Sequence, residues 1–351
     1  MESEETVAGL SNGLSDALEV ILEHDELAEL DVAERRLAMR ALLIERGKTS
    51  VAIDDVAAIV DGYGALDGLM NDPAVTDILI NGVGEVWVER AGALVRSDVE
   101  FSSPQDLDDT IERLMARGGG RADPSRPIAD VALPDGSRMH VVVPPLSPRG
   151  PKVAIRRFPR EPLSLMDLES RGMFEPKTRS RLEDAVRERL TVAISGGTGS
   201  GKTTLLNAML GEVPPSERLI TLEETPELRP KCAHWVSLVA RPPNIEGKGE
   251  VTISDLFRAT LRMRPDRIVV GEVRGPEAAV ALDAFSTGHP GSLVTVHARS
   301  ADDVVGRFVT LASGIGAPES TLRSRVQDAF DLVVHLDRDV GTRRIRELLV
   351  P

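Results

Sequence analysis

Nine consecutive residues, Gly196-Gly197-Thr198-Gly199-Ser200-Gly201-Lys202-Thr203-Thr204, carry the first legible chemistry of this 351-residue chain. They follow a short apolar run, Thr191 to Ser195, and precede Leu205-Leu206-Asn207-Ala208-Met209-Leu210, whose pattern predicts a helix. Strand, glycine-rich turn and helix, with G-x-x-x-x-G-K-[ST] across the turn, is an arrangement with a physical use. Glycines at four positions let the backbone curl so that successive N–H groups point inward at a phosphate chain, and the helix N-terminus adds its positive end. Lys202 would reach the β- and γ-phosphates, and the Thr203 hydroxyl would sit on Mg²⁺. The stretch reads as a nucleotide phosphate site.

Gripping phosphates is not hydrolysis, which needs a group to orient or deprotonate water. Two apolar runs end in acids. Leu219-Ile220-Thr221-Leu222 runs into Glu223-Glu224, and Arg267-Ile268-Val269-Val270 runs through Gly271 into Glu272. The carboxyl ends of parallel strands are where such a sheet meets its ligand. Phosphate-loop enzymes commonly carry Asp at the second position to hold Mg²⁺. With Gly271 there, Glu272 would act on the ion through water. One acid at a strand end is ordinarily a solvated carboxylate; two downstream of one phosphate loop argue for a site. His289 and His297 flank a third strand-like run. Each reads either as a structural hydrogen-bonder or as a sensor near the γ-phosphate, and their separation matches no zinc spacing.

These residues need elements to hold them. Beyond about Pro176, helical and strand-like segments alternate: a helix at 176–190, then strands near 191–195, 218–223, 267–271, 292–298 and 332–336. That predicts a mostly parallel sheet covered on both faces. Upstream, Thr76–Ile80 and Glu85–Glu89 around Asn81-Gly82 predict a hairpin, and a helix is expected over 106–116. With strands at 139–143 and 152–157, they make a smaller α+β domain over 61–158. Residues 159–175, with Pro159, Pro162 and several charges, read as a linker, leaving 176–351 as the nucleotide domain. Residues 1–60 read as an acidic helical segment, with Leu14, Leu18, Ile21 and Leu22 at helical spacing.

Composition sets limits. The formal charge of −14 disfavours nonspecific DNA binding over the whole surface. A single cysteine, Cys232, excludes an intrachain disulfide. The N-terminus lacks a signal peptide's pattern and no apolar run reaches about 18 residues, so a cytoplasmic protein acting on a membrane only from its surface is expected.

The motifs together resemble a known family. The phosphate loop is followed by Leu222-Glu223-Glu224-Thr225-Pro226-Glu227-Leu228, then Arg262-Met263-Arg264-Pro265-Asp266-Arg267 running into Val270-Gly271-Glu272-Val273-Arg274-Gly275. Thr287-Gly288-His289 and Val296-His297-Ala298 complete the order. Upstream, Thr76 to Gly82, Leu133-Pro134-Asp135-Gly136-Ser137-Arg138 and Arg241 to Glu250 extend the match over about 60–351. The chain resembles the type II/type IV secretion ATPases, most of all the CpaF-type ATPases of tight-adherence (Flp) pilus assembly.

The resemblance implies an α/β fold, with a RecA-like P-loop ATPase domain behind a smaller α+β, PAS-like domain and a helical N-terminal segment. It also implies ATP and Mg²⁺, a homo-hexameric ring, and an inner-membrane platform protein as partner, with no direct DNA contact. Glu223 and Glu224 fall on the family's acidic box, Glu272 on its Walker B glutamate, and His289 and His297 on its histidine box. Arg138, Arg156 and Arg157 fall where the N-terminal domain supplies cations to the phosphates. Glu224 stands where Asp is usual and Ala132 where Arg is frequent. Two other readings stay open: a conjugation-type or DNA-acting RecA-like motor, and a nucleotide-regulated scaffold with little turnover.

Overall fold

The computed structural model describes residues 16–351, apart from 18–19, 22, 25, 28–29, 31, 49–52, 91, 159–161, 244–246 and 340–341. Leu14, Leu18, Leu22, Pro159 and the Asn244-Ile245-Glu246 part of the Arg241–Glu250 motif lie outside the described residues. The chain divides into two compact units, Met1–Arg157 and Phe158–Pro351.

In the first unit, helices α1 (Val32–Glu45) and α2 (Ile53–Val60) enclose a small cluster of Ile21, Met39, Leu43 and Val56, with the short helix α3 (Asp67–Asn71) following. Six strands then build one antiparallel sheet: β1 (Val75–Ile80), β2 (Val86–Arg90), β3 (Ala93–Arg96), β4 (Ile128–Ala132), β5 (Arg138–Val142) and β6 (Lys152–Arg156), in the order β3-β2-β1-β6-β5-β4. The predicted hairpin is present, with Ile80 opposite Val86 and Asn81 N–H donating to Glu85 O. Side chains alternate between faces along each strand. One face carries Ile78, Val88, Val131, Met139, Val141 and Ile155, all buried against helix α4 (Pro104–Arg117). That helix starts two residues before the expected 106: Ser103 accepts the Asp106 N–H and Pro104 takes the first turn, where no N–H partner is needed.

The second unit opens with helix α5 (Leu165–Ser170), which corrects the linker reading. Leu165 and Leu168 are about 1% exposed and belong to the unit's core. The prolines that suggest a linker, Pro159 and Pro162, precede this packed helix, and several of the charges, Asp167 and Glu169 among them, lie on it. Helix α6 (Pro176–Arg187) ends earlier than 190 because Arg189 adopts φ 59°, returning the Leu190 N–H to Ala185 O.

Seven strands follow: β7 (Val192–Gly196), β8 (Leu219–Glu223), β9 (Trp235–Val239), β10 (Arg267–Val273), β11 (Leu293–Val296), β12 (Leu332–Asp339) and β13 (Thr342–Leu349). Their order is β13-β12-β7-β11-β10-β8-β9, parallel except for the β12–β13 pair. Both faces are covered. On β7, Val192 and Ile194 pack beside α5, α6 and helix α7 (Lys202–Leu210), whereas Ala193 joins the opposite core. That second core is lined by helices α8 (Ile253–Thr260), α9 (Glu277–Ser286), α10 (Asp303–Ala312) and α11 (Glu319–Ala329). Each fully buried Val, Leu or Ile contributes roughly 1.5–3 kcal/mol. The two cores hold β7, β8, β10 and β11 as a rigid platform whose carboxyl ends share one edge.

Candidate nucleotide site

The glycine loop leaves β7 at that edge. Gly196 has φ 150°, and a Cβ there would lie 2.4 Å from Leu336 O and 2.6 Å from Ser200 Oγ, so only glycine fits. Gly199 (φ 71°) and Gly201 (φ 98°) take conformations other residues resist. Gly201 caps α7, putting Lys202, Thr203 and Thr204 in the first helical turn, beside the orphan N–H groups and the positive end of the dipole. A strand beyond the expected elements braces the loop: Arg343 on β13 donates from Nε to Gly199 O at 3.0 Å.

Lys202 is 7% exposed. Its Nζ donates to Gly196 O (3.0 Å) and Gly197 O (2.9 Å) and stands 3.4 Å from His297 Nδ1. Burial holds this ammonium below the ordinary lysine range, with Glu272 pulling the other way. Burial and then the adjacent Lys202 likewise lower the His297 imidazole, favouring its neutral form. With Nδ1 accepting from Lys202, the proton of that neutral ring belongs on Nε2, which faces Glu272 Oε1 at 2.8 Å. The contact is close but not aligned as a hydrogen bond, and Oε1 is buried with no hydrogen-bond partner. Three residues spread over 95 positions of sequence thus meet at one point.

Glu272 owes its direction to a break in register. Val270 pairs with Val294, but Val273 pairs with Val296, so β10 holds one extra residue against β11 at Gly271-Glu272. Such a bulge re-aims a side chain. A Cβ at Gly271 would lie 3.1 Å from Glu223 Cγ, a tight approach that glycine avoids.

Glu223, at the end of β8, is 3% exposed. Its Oε1 accepts the N–H groups of Glu227 (2.8 Å) and Leu228 (2.9 Å), while Oε2 is buried without a partner. Burial outweighs those two N–H groups and pushes the carboxyl up to about 7. The same loop is tied to α7, where Asn207 donates to Glu227 O and accepts from Arg229 N–H. Glu224 is exposed and paired with Arg274 at 2.8 Å.

Two sequence candidates fall elsewhere. His289 precedes β11, and β11 runs parallel to β7 with Leu293 opposite Val192. His289 therefore sits at the amino edge of the sheet, a strand length from the glycine loop. Its Nδ1 lies 3.1 Å from Ala284 O, closing the end of α9. Of the two histidines, the structure brings only His297 to the glycine loop.

Arg157, in the first unit, directs Nη1 to the carbonyls of Leu69, Asp72 and Val75, joining α3 to β1. That guanidinium holds the domain together rather than meeting phosphates. Arg138 and Arg156 stand opposite each other on the face of the sheet away from α4. Arg138 pairs with Asp130 (3.1 Å) and Arg156 with Asp77 (3.1 Å), both partly exposed.

The residues fit a nucleotide with its ion. The glycine cradle, the buried lysine and the helix N-terminus suit a polyphosphate. Among the described residues no group of three or more His, Cys, Asp or Glu could hold a metal. Mg²⁺ beside a polyphosphate usually takes few protein ligands, and the Thr203 hydroxyl in the first turn of α7 is the one the loop offers.

A parallel sheet with a glycine loop at its carboxyl edge, a buried lysine and convergent strand-end acids defines a P-loop nucleotide-binding protein of RecA-like fold. Residues 61–341 match the family described as Type II/IV secretion system protein, and the chain belongs to it. It is 39% identical over 296 residues to a Mycobacterium tuberculosis protein with a provisional conjugal-transfer name, covering 82% of this chain and 84% of that one. It is 33% identical to the conjugal transfer protein TrbB of Rhizobium radiobacter (80% and 84% covered). It is also 34% identical to the type IV secretion system protein PtlH of Bordetella pertussis (83% and 94%). Two solved structures share the fold. The Legionella pneumophila ATPase DotB has TM-score 0.58 and 23% identity, covering 80% of this chain and 78% of that one. The pilus retraction motor PilT with bound ADP has TM-score 0.56 and 20% identity, covering 84% and 82%.

Proposed function

We propose that this chain is an ATP-hydrolysing subunit of a secretion-type motor. The observation that carries the reading is the convergence of Lys202, His297 and Glu272 at the carboxyl edge of one sheet. Lys202, the loop amides and Thr203 would hold the phosphates and Mg²⁺, and the ion would neutralise charge developing on the transferred phosphoryl group. Glu223 would take the proton of the attacking water. Glu272 would orient that water through its unpartnered oxygen, and His297 would register the γ-phosphate. Glu224 would reach the ion's water shell. Arg138 and Arg156 would add positive charge from the first domain. A cation placed so can be worth about 10³–10⁵ in rate.

The assembly we propose is a homo-hexameric ring on the cytoplasmic side of an inner-membrane platform protein, working in tight-adherence pilus assembly. Among the described residues no helix is long and apolar enough to cross a membrane, which suits a peripheral motor. A second reading, a motor for conjugal transfer or type IV secretion, is favoured by the names of the TrbB and PtlH relatives. Phosphate release from purified protein at rising concentration tests the proposal. Specific activity should climb as subunits assemble; no release at any concentration would leave only the scaffold reading. A pull-down from cells, scored for a pilus platform protein against conjugation components, separates the two roles.

A further inference from the structure

Arg274 and Glu277 stand together beside the acids of this edge. Glu277, the first residue of α9, is 8% exposed. Its Oε1 accepts the backbone N–H of Arg274 (2.6 Å) and of Gly275 (2.7 Å). A Cβ on Gly275 would lie 3.1 Å from the other carboxylate oxygen, a tight approach that glycine avoids. The turn aims the Arg274 guanidinium back across the sheet edge. Nη2 donates to Glu272 Oε2 at 2.6 Å, and Nη1 to Glu224 Oε2 at 2.8 Å.

We infer that Arg274, fixed by Glu277, is a positioning residue that ties together the acids at the ends of β8 and β10 and selects the working oxygen of Glu272. Like charges on neighbouring strands repel, and a forked guanidinium can bridge them at fixed spacing where an ammonium, a point charge, cannot. By occupying Oε2 of Glu272, Arg274 leaves Oε1 as the oxygen that faces His297. The carboxylate is then held in a rotation that keeps the oxygen nearest His297 free of any hydrogen bond at the phosphate edge. The other charged groups around it are Lys202 from α7 and Glu227 from the loop after β8.

This inference rests on the proposed water-orienting role of Glu272, and the test separates the two. Steady-state ATP hydrolysis is measured for the wild-type protein and for the Glu272→Gln, Arg274→Gln, Arg274→Lys and Glu277→Ala variants. Binding of a fluorescent ATP analogue and thermal unfolding are followed alongside. A mis-set reacting group costs up to about 100-fold, so Arg274→Gln should lower kcat by about 10- to 100-fold. The KM for ATP should stay within about twofold of wild type, because no ground-state contact is lost. Arg274→Lys should remain within about threefold of the Gln variant, lacking the fork. Glu277→Ala should show the same kcat loss; should it fail to fold, the half-exposed Arg274 still decides. Unchanged kcat in Arg274→Gln, or full rescue by lysine, would overturn the inference while leaving the Glu272 reading intact. Hydrolysis unaffected by Glu272→Gln would overturn both.

Discussion

The two sheets of this protein hold their functional candidates in opposite ways. In the parallel sheet, β7, β8, β10 and β11 end on one edge, so residues from four distant segments gather there. Lys202, His297, Glu272, Arg274 and Glu224 form one continuous chain of contacts of 3.4 Å or less. In the antiparallel sheet, strands run alternately and no edge collects their ends. Arg138 and Arg156 are neighbours only by register, and each is matched by an aspartate on the adjoining strand. A parallel sheet builds a site within its own unit. An antiparallel face offers charges that become useful only when something else is brought to them.

The sharpest attempt to break this contrast is Lys202→Ala. Losing the buried ammonium should abolish measurable turnover, a fall of at least about 10³-fold. Activity within tenfold of wild type would mean that the gathered edge is not the site. In the other sheet, Arg138→Ala should cut kcat by about 10- to 100-fold without lowering the unfolding midpoint, as expected of an exposed charge worth little to stability. Arg157→Ala should do the reverse, costing about 2–4 kcal/mol of stability by leaving the carbonyls of Leu69, Asp72 and Val75 without their donor. Denaturant unfolding of the two variants, run side by side, shows whether that division holds.

Glu223 gives a pH-dependent test. Its folded carboxyl lies near 7, above the ordinary 4.5, so the folded state binds the proton more tightly than the unfolded chain. Its contribution is therefore most favourable below about 4.5 and is lost as pH rises through 7. A tenfold difference in proton affinity between the two states is worth about 1.4 kcal/mol, so Glu223→Gln should be more stable than wild type by about 3 kcal/mol at pH 8 and nearly equal to it at pH 4.5. Turnover by wild type should rise through pH 7 as the base deprotonates, and the Gln variant should lose most activity at every pH. Equal stabilities at pH 8 would show that the carboxyl is charged without penalty. The smallest effect belongs to His289→Ala, at the wrong edge of the sheet: hydrolysis within about twofold of wild type, with under ~1 kcal/mol lost from one helix-end contact. A large fall in kcat would restore its place at the site.

What can be read from sequence follows the same division. The glycine loop is contiguous, and its flanking strand and helix are strongly patterned, so the grip and its sheet are legible. Glu223 and Glu272 are legible because apolar runs end in acids. His289 and His297 look equivalent because spacing does not say which edge a strand starts from, and the direction of β11 separates them. Arg156 and Arg157 look equivalent too, yet one ends β6 on the open face and the other turns under α3. The bulge at Gly271-Glu272 exists only in the pairing of two strands, so no local pattern announces it. Strand β13 is hidden because its residues, Arg343, Arg344, Arg346 and Glu347 among them, are mostly exposed and carry no apolar alternation. The Arg343 brace on Gly199 is hidden with it.

The central claim is that Lys202 grips the phosphates while Glu272 acts on the water. The most direct measurement is nucleotide binding and phosphate release by the Glu272→Gln variant beside wild type. The account predicts ATP binding within a few-fold of wild type and hydrolysis slowed by about 10²-fold or more. Loss of ATP binding together with turnover, or hydrolysis at the wild-type rate, would contradict it.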